Sequence, residues 1–220
     1  MTVEALIAAL RAVAVPKDAG PMAAYLKDQF PCMGVKSKAR RAAQRPYLAA
    51  AKGRSPAQVL AMAEACWAVE HRELQYVGAD LLRRYARGLT PAELPRVRSL
   101  VQSKSWWDTV DTLAVHVVGP MVRRHPELVS TMDRWVADDD KWVARTALLH
   151  QLTYKGDTDQ ERLFRYVLHH AGATDFFLRK ASGWALRQHA RVAPEAVRGF
   201  VAEHRGRLSG LTVREATKHL

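Results

Sequence analysis

A repeated proline spacing is the feature of this sequence that most limits its fold. Pro56, Pro91 and Pro126 lie 35 residues apart, and each opens a similar segment, as does Pro194. Proline is tolerated in the first turn of a helix, where its missing N–H would have no partner, so each segment is predicted to be the first helix of a pair. These segments are SPAQVLAMA, TPAELPRVRSLV, HPELVSTMDRWV and APEAVRGFVAEH, and the missing member of the series lies near DTDQERLFRYVL.

Second helices are predicted in the stretches between these segments. Trp107, Trp142 and Phe177 again fall 35 residues apart within them. Helix pairs at such a period are typical of an α-solenoid, in which each pair buries its apolar face against its neighbours. Because no useful strand pattern occurs, we predict an all-α fold, an α-solenoid whose concave face is lined by the second helices; the alternative is an irregular helical bundle. The second helices are EHRELQYVGADLLRRY, SWWDTVDTLAVHVVG, KWVARTALLHQLTYK and FFLRKASGWALRQHA.

The charge balance indicates the class of partner. The 220 residues include 34 Lys and Arg against 22 Asp and Glu, which gives a formal net charge of +12. Such an excess favours a polyanion such as nucleic acid, and the alternative is simply a basic protein without such a partner. Basic residues suited to a DNA backbone cluster at Lys36, Lys38, Arg40, Arg41 and Arg45, and again at Arg179, Lys180, Arg187 and Arg191.

Other sequence features exclude several classes of protein. The first residues form an amphipathic helix pattern that ends near Pro16, without the basic start or cleavage site of a secretory signal. No stretch has the length of a membrane span, so a cytoplasmic protein is expected. Cys32 and Cys66 lack a metal-binding spacing and are interpreted as reduced core residues. Histidines at metal-ligand spacing and glycine-rich phosphate loops are both missing from the sequence, so no metal or cofactor is expected.

The stretch SKSWWDTVD combines structural and candidate functional residues. Ser105 and Asp108 have the spacing of a helix N-cap and its third residue, and Trp106 falls within the apolar stripe of the helix. Trp107 and Asp111 stand one turn apart at the edge of that stripe. Partial burial of a carboxylate at this edge costs free energy unless an ion-pair partner or a functional role compensates for it. Asp111 is therefore either a salt-bridged structural aspartate or a functional one.

Two further second-helix residues are candidates for the same site. Arg145 lies in the mostly apolar segment WVARTALL, where a guanidinium needs an acidic partner or a phosphate. Trp184 follows Gly183, which weakens a helix and suggests that something approaches the backbone closely. The alternative for Trp184 is core packing. Equivalent positions line up across a solenoid, so these residues are predicted to converge with Trp107 and Asp111.

With these motifs the sequence resembles the bacterial DNA alkylation repair proteins of the AlkD type, a family of HEAT-like helical-repeat DNA glycosylases. The resemblance covers nearly the whole chain, through MAAYLKDQFPCMGVKSKARR, SWWDTVD, KWVARTALLHQLTYK, FFLRKASGWALRQ and LSGLTVREATKHL in that order. It implies a single HEAT-like repeat domain over residues 1–220 with a basic concave face. It also implies that Asp111 is catalytic, that Trp107 and Trp184 are active-site tryptophans, and that Arg145 lies in the catalytic cleft.

The resemblance further implies hydrolytic excision of the cationic purines 3-methyladenine and 7-methylguanine from double-stranded DNA, with the base left stacked. Tyr25 is implied as a DNA contact, and Lys36 stands where one member of the family has a glutamine, a change that favours phosphate binding. Arg145 would anchor a phosphate or orient Asp111. A monomer without an obligate protein partner is expected. The alternatives are a non-catalytic DNA or RNA structure-binding repeat protein and a protein-interaction solenoid.

Overall fold

The computed structural model describes residues 2–220, which contain helices and connecting turns and no strand. The all-α prediction is therefore confirmed for these residues. The chain divides into two compact units, one ending at Lys104 and one beginning at Ser105. The single domain expected from the resemblance remains a prediction. The α-helices of the first unit are α1 (Val3–Arg11), α2 (Pro16–Tyr25), α3 (Ser37–Ala43), α4 (Arg45–Ala49), α5 (Pro56–Ala68), α6 (Arg72–Tyr85) and α7 (Leu94–Gln102).

The second unit contains the candidate site. Its α-helices are α8 (Trp107–Leu113), α9 (Gly119–Arg124), α10 (Val129–Trp135), α11 (Lys141–Leu149), α12 (Gln160–His169), α13 (Phe176–His189), α14 (Pro194–Glu203) and α15 (Gly210–Ala216). A π-helical segment, Ala114–Val118, joins α8 to α9 without a break. Short 3-10 helices occur at Ala86–Gly88, Pro91–Glu93, Pro126–Leu128 and Lys155–Asp157.

The four prolines open helical segments as the sequence predicts. Pro56 and Pro194 are the first residues of α5 and α14. Pro91 and Pro126 instead open 3-10 turns that lead directly into α7 and α10. Since proline fixes φ near the helical value and needs no hydrogen-bond partner there, both kinds of start suit it. The predicted pairing of first and second helices is thus present in the chain order of both units.

Close packing of paired helices explains the glycine at position 78 in the first unit. Gly78 of α6 lies against the Trp67 ring of α5, and a Cβ atom there would come within 2.9 Å of that ring. The Trp67 indole N–H donates to the Ser103 carbonyl at 3.0 Å, which ties α5 to the end of α7. The small residue therefore allows the two helices of the pair to approach closely.

Two sequence expectations concern residues away from the site. Cys32 is half-buried and Cys66 is fully buried, and the two form no disulfide. Burial raises the pKa of the Cys66 thiol to about 11, so this cysteine behaves as an apolar core residue. Within residues 2–220 no helix has the length and apolar character needed to cross a membrane.

Candidate functional site

Asp111 lies on α8, three residues before the π-helical segment begins. The helix begins at Trp107 and its N-cap residue is Trp106, one residue later than the Ser105 start predicted from the sequence. The helix continues through Leu113, where the π-helical turn takes over. A π-helical turn rotates the residues that follow relative to an α-helix and is common at functional sites. Asp111 is therefore held in the last regular turn before a local change in helix geometry.

The Asp111 carboxylate is bound by the guanidinium of Arg145 from α11. Nε donates to Oδ1 at 2.7 Å and Nη2 donates to Oδ2 at 2.8 Å, so the two groups form a parallel, bidentate ion pair. Nη1 donates to the Phe177 carbonyl at the start of α13. The Arg145 side chain is only 4% exposed, whereas that of Asp111 is 15% exposed. The arginine is thus enclosed, and one edge of the carboxylate remains accessible.

Burial and the ion pair act on Asp111 in opposite directions. Removal of the carboxylate from water raises its pKa above the usual aspartate value, and the hydrogen bonds and charge of Arg145 partly offset this rise. The neighbouring carboxylate of Asp108 adds a smaller upward contribution. An aspartate with a raised pKa that is still paired with a fixed cation is a recurrent feature of functional carboxylates.

A cavity of about 360 Å³ opens in front of this ion pair. Its wall is aromatic over much of its surface and carries basic groups as well. Trp107 from α8 and Trp184 from α13 both contribute, so the structure brings together the four residues that the sequence and the resemblance assign to the site. The lining residues are Trp107, Asp111, Arg145, Phe176, Phe177, Lys180, Trp184 and Arg187.

Phe176 and Phe177 line the same cavity and were not identified from the sequence. Phe176 is 57% exposed, which is unusual for a large apolar side chain. The Phe177 ring instead packs against Trp106 and Trp142, with ring centroids 5.1 and 4.8 Å apart. Trp106 is half-buried in this aromatic cluster, in agreement with its predicted packing role. Two adjacent phenylalanines at a helix start were the available sequence signal.

Lys180 and Arg187, both predicted DNA contacts, lie on the cavity wall and share one acidic partner. Both side chains bind the Glu215 carboxylate of α15, and the Arg187 contact is 2.7 Å long. These contacts lower the pKa of Glu215, mainly through the hydrogen bond from Lys180. The nearby Arg179 donates through Nε to the Ala173 carbonyl at 2.6 Å. Lys180 and Arg187 carry two positive charges and Glu215 carries one negative charge, so the three side chains together keep a net charge of +1.

Gly183 is explained by the same helix, α15. A Cβ atom at this position would lie 2.5 Å from the Glu215 Cβ and 2.8 Å from the Thr212 carbonyl oxygen. Something does approach the backbone closely, as the sequence predicts. It is a helix of the chain itself, so this glycine is needed for packing and provides no contact surface for a ligand.

The predicted DNA contacts of the N-terminal cluster lie in the first unit. Tyr25 is 70% exposed at the end of α2, and Lys27 and Asp28, two and three residues after it, adopt positive φ angles. Such backbone conformations are strained for residues other than glycine and often occur in loops at functional sites. Lys36 has a side chain that is 69% exposed and an ion pair with Asp18 at 2.9 Å. The exposed members of the cluster also include Lys38, Arg41 and Arg45.

The prediction that Arg40 contacts DNA is wrong, because this residue is buried. Its side chain is 8% exposed and lies 3.3 Å from the Asp80 carboxylate of α6, with the guanidinium above the Tyr76 ring. Burial lowers its pKa, while the Asp80 charge acts in the opposite direction. A cluster of basic residues in the sequence does not show which side chain faces the protein interior. The sequence therefore groups the buried Arg40 with the exposed basic residues around it.

Glu73 was also missed, and it fixes the loop that precedes Lys36. Its fully buried carboxylate accepts the backbone N–H groups of Met33, Gly34 and Val35 at 2.9–3.0 Å. Gly34 has φ of 86°, which requires glycine. A buried glutamate at the start of α6 holds the loop against that helix, since each N–H gains a charged acceptor. A glutamate on the buried side of a helix was the only available signal.

Within residues 2–220 no group of three or more His, Cys, Asp and Glu side chains is placed to hold a metal ion. The groups that line the cavity are an oriented carboxylate, aromatic faces and fixed cations. Together these groups can stabilise positive charge next to an anionic backbone.

Comparisons with known proteins show the family to which the chain belongs. A "predicted DNA alkylation repair enzyme" from Enterococcus faecalis has a similar structure, with a TM-score of 0.88 and 30% sequence identity over 94% of this chain and 96% of that chain. No curated protein matches the chain. The family model for DNA alkylation repair enzymes matches residues 6–220. The chain therefore belongs to the DNA alkylation repair enzyme family.

Proposed function

We propose that this DNA repair enzyme is a glycosylase that excises 3-methyladenine and 7-methylguanine from duplex DNA by hydrolysis of the N-glycosidic bond. The observation that carries the proposal is the accessible edge of the Asp111 carboxylate, fixed by Arg145 inside a cavity that Trp107 and Trp184 line. A structural ion pair alone would not need an aromatic cavity in front of it.

The reaction needs little chemical assistance from the protein. Alkylation of the ring nitrogen gives the purine a positive charge, so the electron pair of the C1′–N bond neutralises the base as it leaves. Positive charge then develops on the sugar, as in glycoside hydrolysis. We assign to Asp111 the electrostatic stabilisation of this charge and the orientation of the attacking water. The water oxygen forms the new bond to C1′, and its proton passes to the carboxylate and then to solvent.

The tryptophans supply the complementary interaction with the cationic nucleotide. The electron-rich faces of Trp107 and Trp184 border the same cavity as Asp111. A cation over such a face gains about 0.5 to 2 kcal/mol. The exposed Phe176 at this cavity adds a third aromatic surface suited to a neighbouring nucleotide. Selectivity for cationic lesions over normal purines follows because only the alkylated base carries the charge.

Arg145 is assigned a positioning role. The sequence alone left open whether it anchors a phosphate or orients Asp111. Three of its nitrogens already donate to Asp111 and to the Phe177 carbonyl, and the side chain is 4% exposed. A guanidinium so enclosed has little surface left for a phosphate, which supports the second alternative.

The remaining features of the proposal concern the DNA and the form of the protein. Lys180 and Arg187 on the cavity wall are suited to the phosphates that flank the lesion. We propose that the protein contacts the phosphate backbone of the DNA while the damaged base stays stacked in the duplex. We also propose that it acts as a monomer without a metal or cofactor. Chromosomal DNA as substrate, together with two cysteines that form no disulfide, fits a cytoplasmic protein.

The test is release of methylated bases from methylated duplex DNA. Wild type should release 3-methyladenine or 7-methylguanine, and Asp111→Asn should keep DNA affinity while its single-turnover rate falls about 100- to 1000-fold. Asp108→Asn is the matched control, since it removes the same charge three residues away on α8 and does not line the cavity. Its rate should stay near that of wild type.

Two outcomes would contradict the proposal. Equal rates for wild type and Asp111→Asn would remove Asp111 from the chemistry. DNA binding by wild type without base release would instead indicate a non-catalytic DNA-binding repeat protein. Stacking is tested separately with 2-aminopurine placed opposite the lesion, because extrusion of the base would raise its fluorescence on binding and a retained stack would not.

A further inference from the structure

An open groove with an apolar floor lies in the second unit, between α12 and α14. Its volume of about 620 Å³ exceeds that of the cavity at Asp111, and its lining residues belong to these two helices and to the C-cap of α14. None of them lines the cavity at Asp111, whose wall is formed by α8, α11 and α13. The groove is therefore a surface that the excision site does not use.

Two stacked phenylalanine rings form the centre of the groove floor. Phe164 of α12 and Phe200 of α14 have ring centroids 4.1 Å apart and ring planes inclined by 16°. Phe200 is buried, whereas Phe164 and its neighbours Leu168 and Ala196 are half-buried and line the groove. The floor thus offers apolar surface to an apolar side chain from outside the molecule.

Gly199 keeps this floor open. It lies in the interior of α14, where glycine weakens a helix, and no heavy atom would come within 4 Å of an added Cβ. Among the glycines of residues 2–220 only Gly34 and Gly53 have positive φ angles, so backbone geometry does not require a glycine here. Close packing and backbone geometry therefore leave this glycine unexplained, whereas free access to the two phenylalanine rings accounts for it.

The rim of the groove is acidic, although the chain as a whole is basic. It carries three glutamates and one cation, namely Glu161, Glu195, Glu203 and Arg165. Arg165 is already paired with Asp133 at 2.7 Å, and Glu195 is paired with Arg198. Within residues 2–220 no lysine or arginine pairs with Glu161 or Glu203, and Glu203 lies 3.6 Å from the His204 ring. Such a rim repels DNA phosphates and attracts a cationic partner.

An α-helix suits this groove better than an extended peptide does. The backbone groups of α12 and α14 are bonded within their own helices, so an extended peptide would find no exposed edge to pair with. A helix needs no such pairing and places apolar side chains three and four residues apart on one face. Each of α12 and α14 has ten residues, so the groove wall is about 15 Å long, which matches two to three helical turns.

The described part of the chain offers no matching segment of its own. Its exposed large apolar side chains are Val13, Val15, Tyr25, Phe176 and Val192. The three valines lie outside helices, and Tyr25 and Phe176 are the last and first residues of theirs. Since none of these side chains forms an apolar stripe along a helix, a second copy of the chain lacks the element that would fill the groove.

We propose that the groove between α12 and α14 binds a basic amphipathic helix of a partner protein. Apolar side chains of this helix pack on Phe164 and Phe200, and its lysines or arginines lie against the glutamates of the rim. The groove shares no residue with the cavity at Asp111, so the partner and DNA can be bound at the same time. The inference does not depend on base excision.

The test measures binding of a fluorescein-labelled peptide of about four helical turns, held helical by a hydrocarbon staple. The peptide carries leucines along one face and lysines on both edges of that face, and a second peptide has glutamates in place of the lysines. Because the chain has a formal net charge of +12, general attraction favours the glutamate peptide. The groove should reverse this preference, so that wild type binds the lysine peptide about tenfold more tightly or better.

Gly199→Leu fills the groove with a side chain of the protein and should weaken binding of the lysine peptide by about tenfold or more. Gly156→Leu is the matched control, since Gly156 is also exposed, has open space around its Cβ and lies outside the groove. Thermal unfolding should show that Gly199→Leu is folded, because leucine is a better helix former than glycine.

A second pair of variants tests the rim. Glu161→Gln/Glu203→Gln should weaken binding of the lysine peptide about fivefold and reduce its salt dependence, since two attractive charges are lost. Glu70→Gln/Glu127→Gln removes the same charge from exposed positions outside the groove and should leave the affinity near that of wild type.

Four results decide against the proposal. Equal affinity of Gly199→Leu and Gly156→Leu for the lysine peptide would overturn it, as would tighter binding of the glutamate peptide by wild type. Self-association of wild type that Gly199→Leu abolishes in sedimentation would make a second copy the occupant. Loss of duplex DNA affinity in Gly199→Leu would make the groove a DNA surface. Failure of wild type to release methylated bases would contradict only the glycosylase proposal, because peptide binding is measured without DNA.

Discussion

Replacement of Arg145 by methionine tests whether this arginine orients Asp111 for catalysis or binds a phosphate of the DNA backbone. The change keeps an unbranched side chain of similar reach but removes the two hydrogen bonds to Asp111 and the one to the Phe177 carbonyl. A buried charge that loses its partner costs about 3 to 5 kcal/mol of folding stability. The double variant Asp111→Asn/Arg145→Met should be less destabilised, because no uncompensated charge remains.

The same replacement should change the pH dependence of excision in a definite direction. Burial raises the pKa of Asp111 and Arg145 lowers it, so loss of the arginine leaves only the upward contribution. The active form is the carboxylate, and activity is lost as the pH falls through its pKa. Excision by Arg145→Met should therefore begin to fail at a higher pH than excision by wild type. At its best pH the rate should be lower by about 100-fold or more, since the carboxylate is no longer oriented.

The assay combines single-turnover release of 7-methylguanine across pH with duplex affinity across salt concentration. The salt slope of Arg145→Met should equal that of wild type, because the enclosed guanidinium releases no counterion on binding. Arg145→Lys provides a charged control that cannot bridge both carboxylate oxygens and the carbonyl. A slope lowered by about 0.9, with the excision rate and pH profile of bound DNA unchanged, would refute the positioning role and make Arg145 a phosphate anchor.

Three further substitutions, one of them with a control substitution, test parts of the fold. Burial lowers the pKa of His150 to about 4, so this residue should contribute a loss of about 3 kcal/mol of stability between pH 6.5 and 4, and the loss measured by urea unfolding of His150→Asn should be smaller than that of wild type by about this amount. Gly183→Ala should destabilise by about 1 to 3 kcal/mol in thermal unfolding because the added methyl meets α15, whereas Gly199→Ala, with open space around it, should stabilise slightly. Glu73→Gln should lower stability by about 2 kcal/mol in urea unfolding and expose the loop at 33–35 to proteases; unchanged cleavage there would argue against its anchoring role.

The helical segments were predictable because their signals are local. Proline at a helix start and an apolar stripe at helical spacing depend on a few neighbouring residues, so α5, α13 and α14 begin where the sequence places them. The exact form of a start was less predictable. The turns at Pro91 and Pro126 are 3-10 helices, since the choice between hydrogen-bond patterns depends on packing around the first turn.

The candidate site was predictable in its members but not in their contacts. The motifs identified Asp111 and Arg145, yet the bond between them joins residues 34 positions apart and depends on how α8 and α11 pack. Arg40 shows the opposite failure, because its burial against Asp80 cannot be read from a cluster of basic residues. Phe176 had no periodic signal, and it is exposed at the first position of α13.

The shared carboxylate of Glu215 gives α15 an influence on the active-site cavity that its distance in sequence would not suggest. The helix presses against Gly183 and holds Lys180 and Arg187 through one acidic group. Loss of the Glu215 charge would leave Lys180 and Arg187 without their shared acidic partner, whereas the packing of α15 against Gly183 involves the Glu215 Cβ and the Thr212 backbone and would remain. Under the proposed function, both side chains would then be available to DNA phosphates, and the affinity for undamaged DNA would rise.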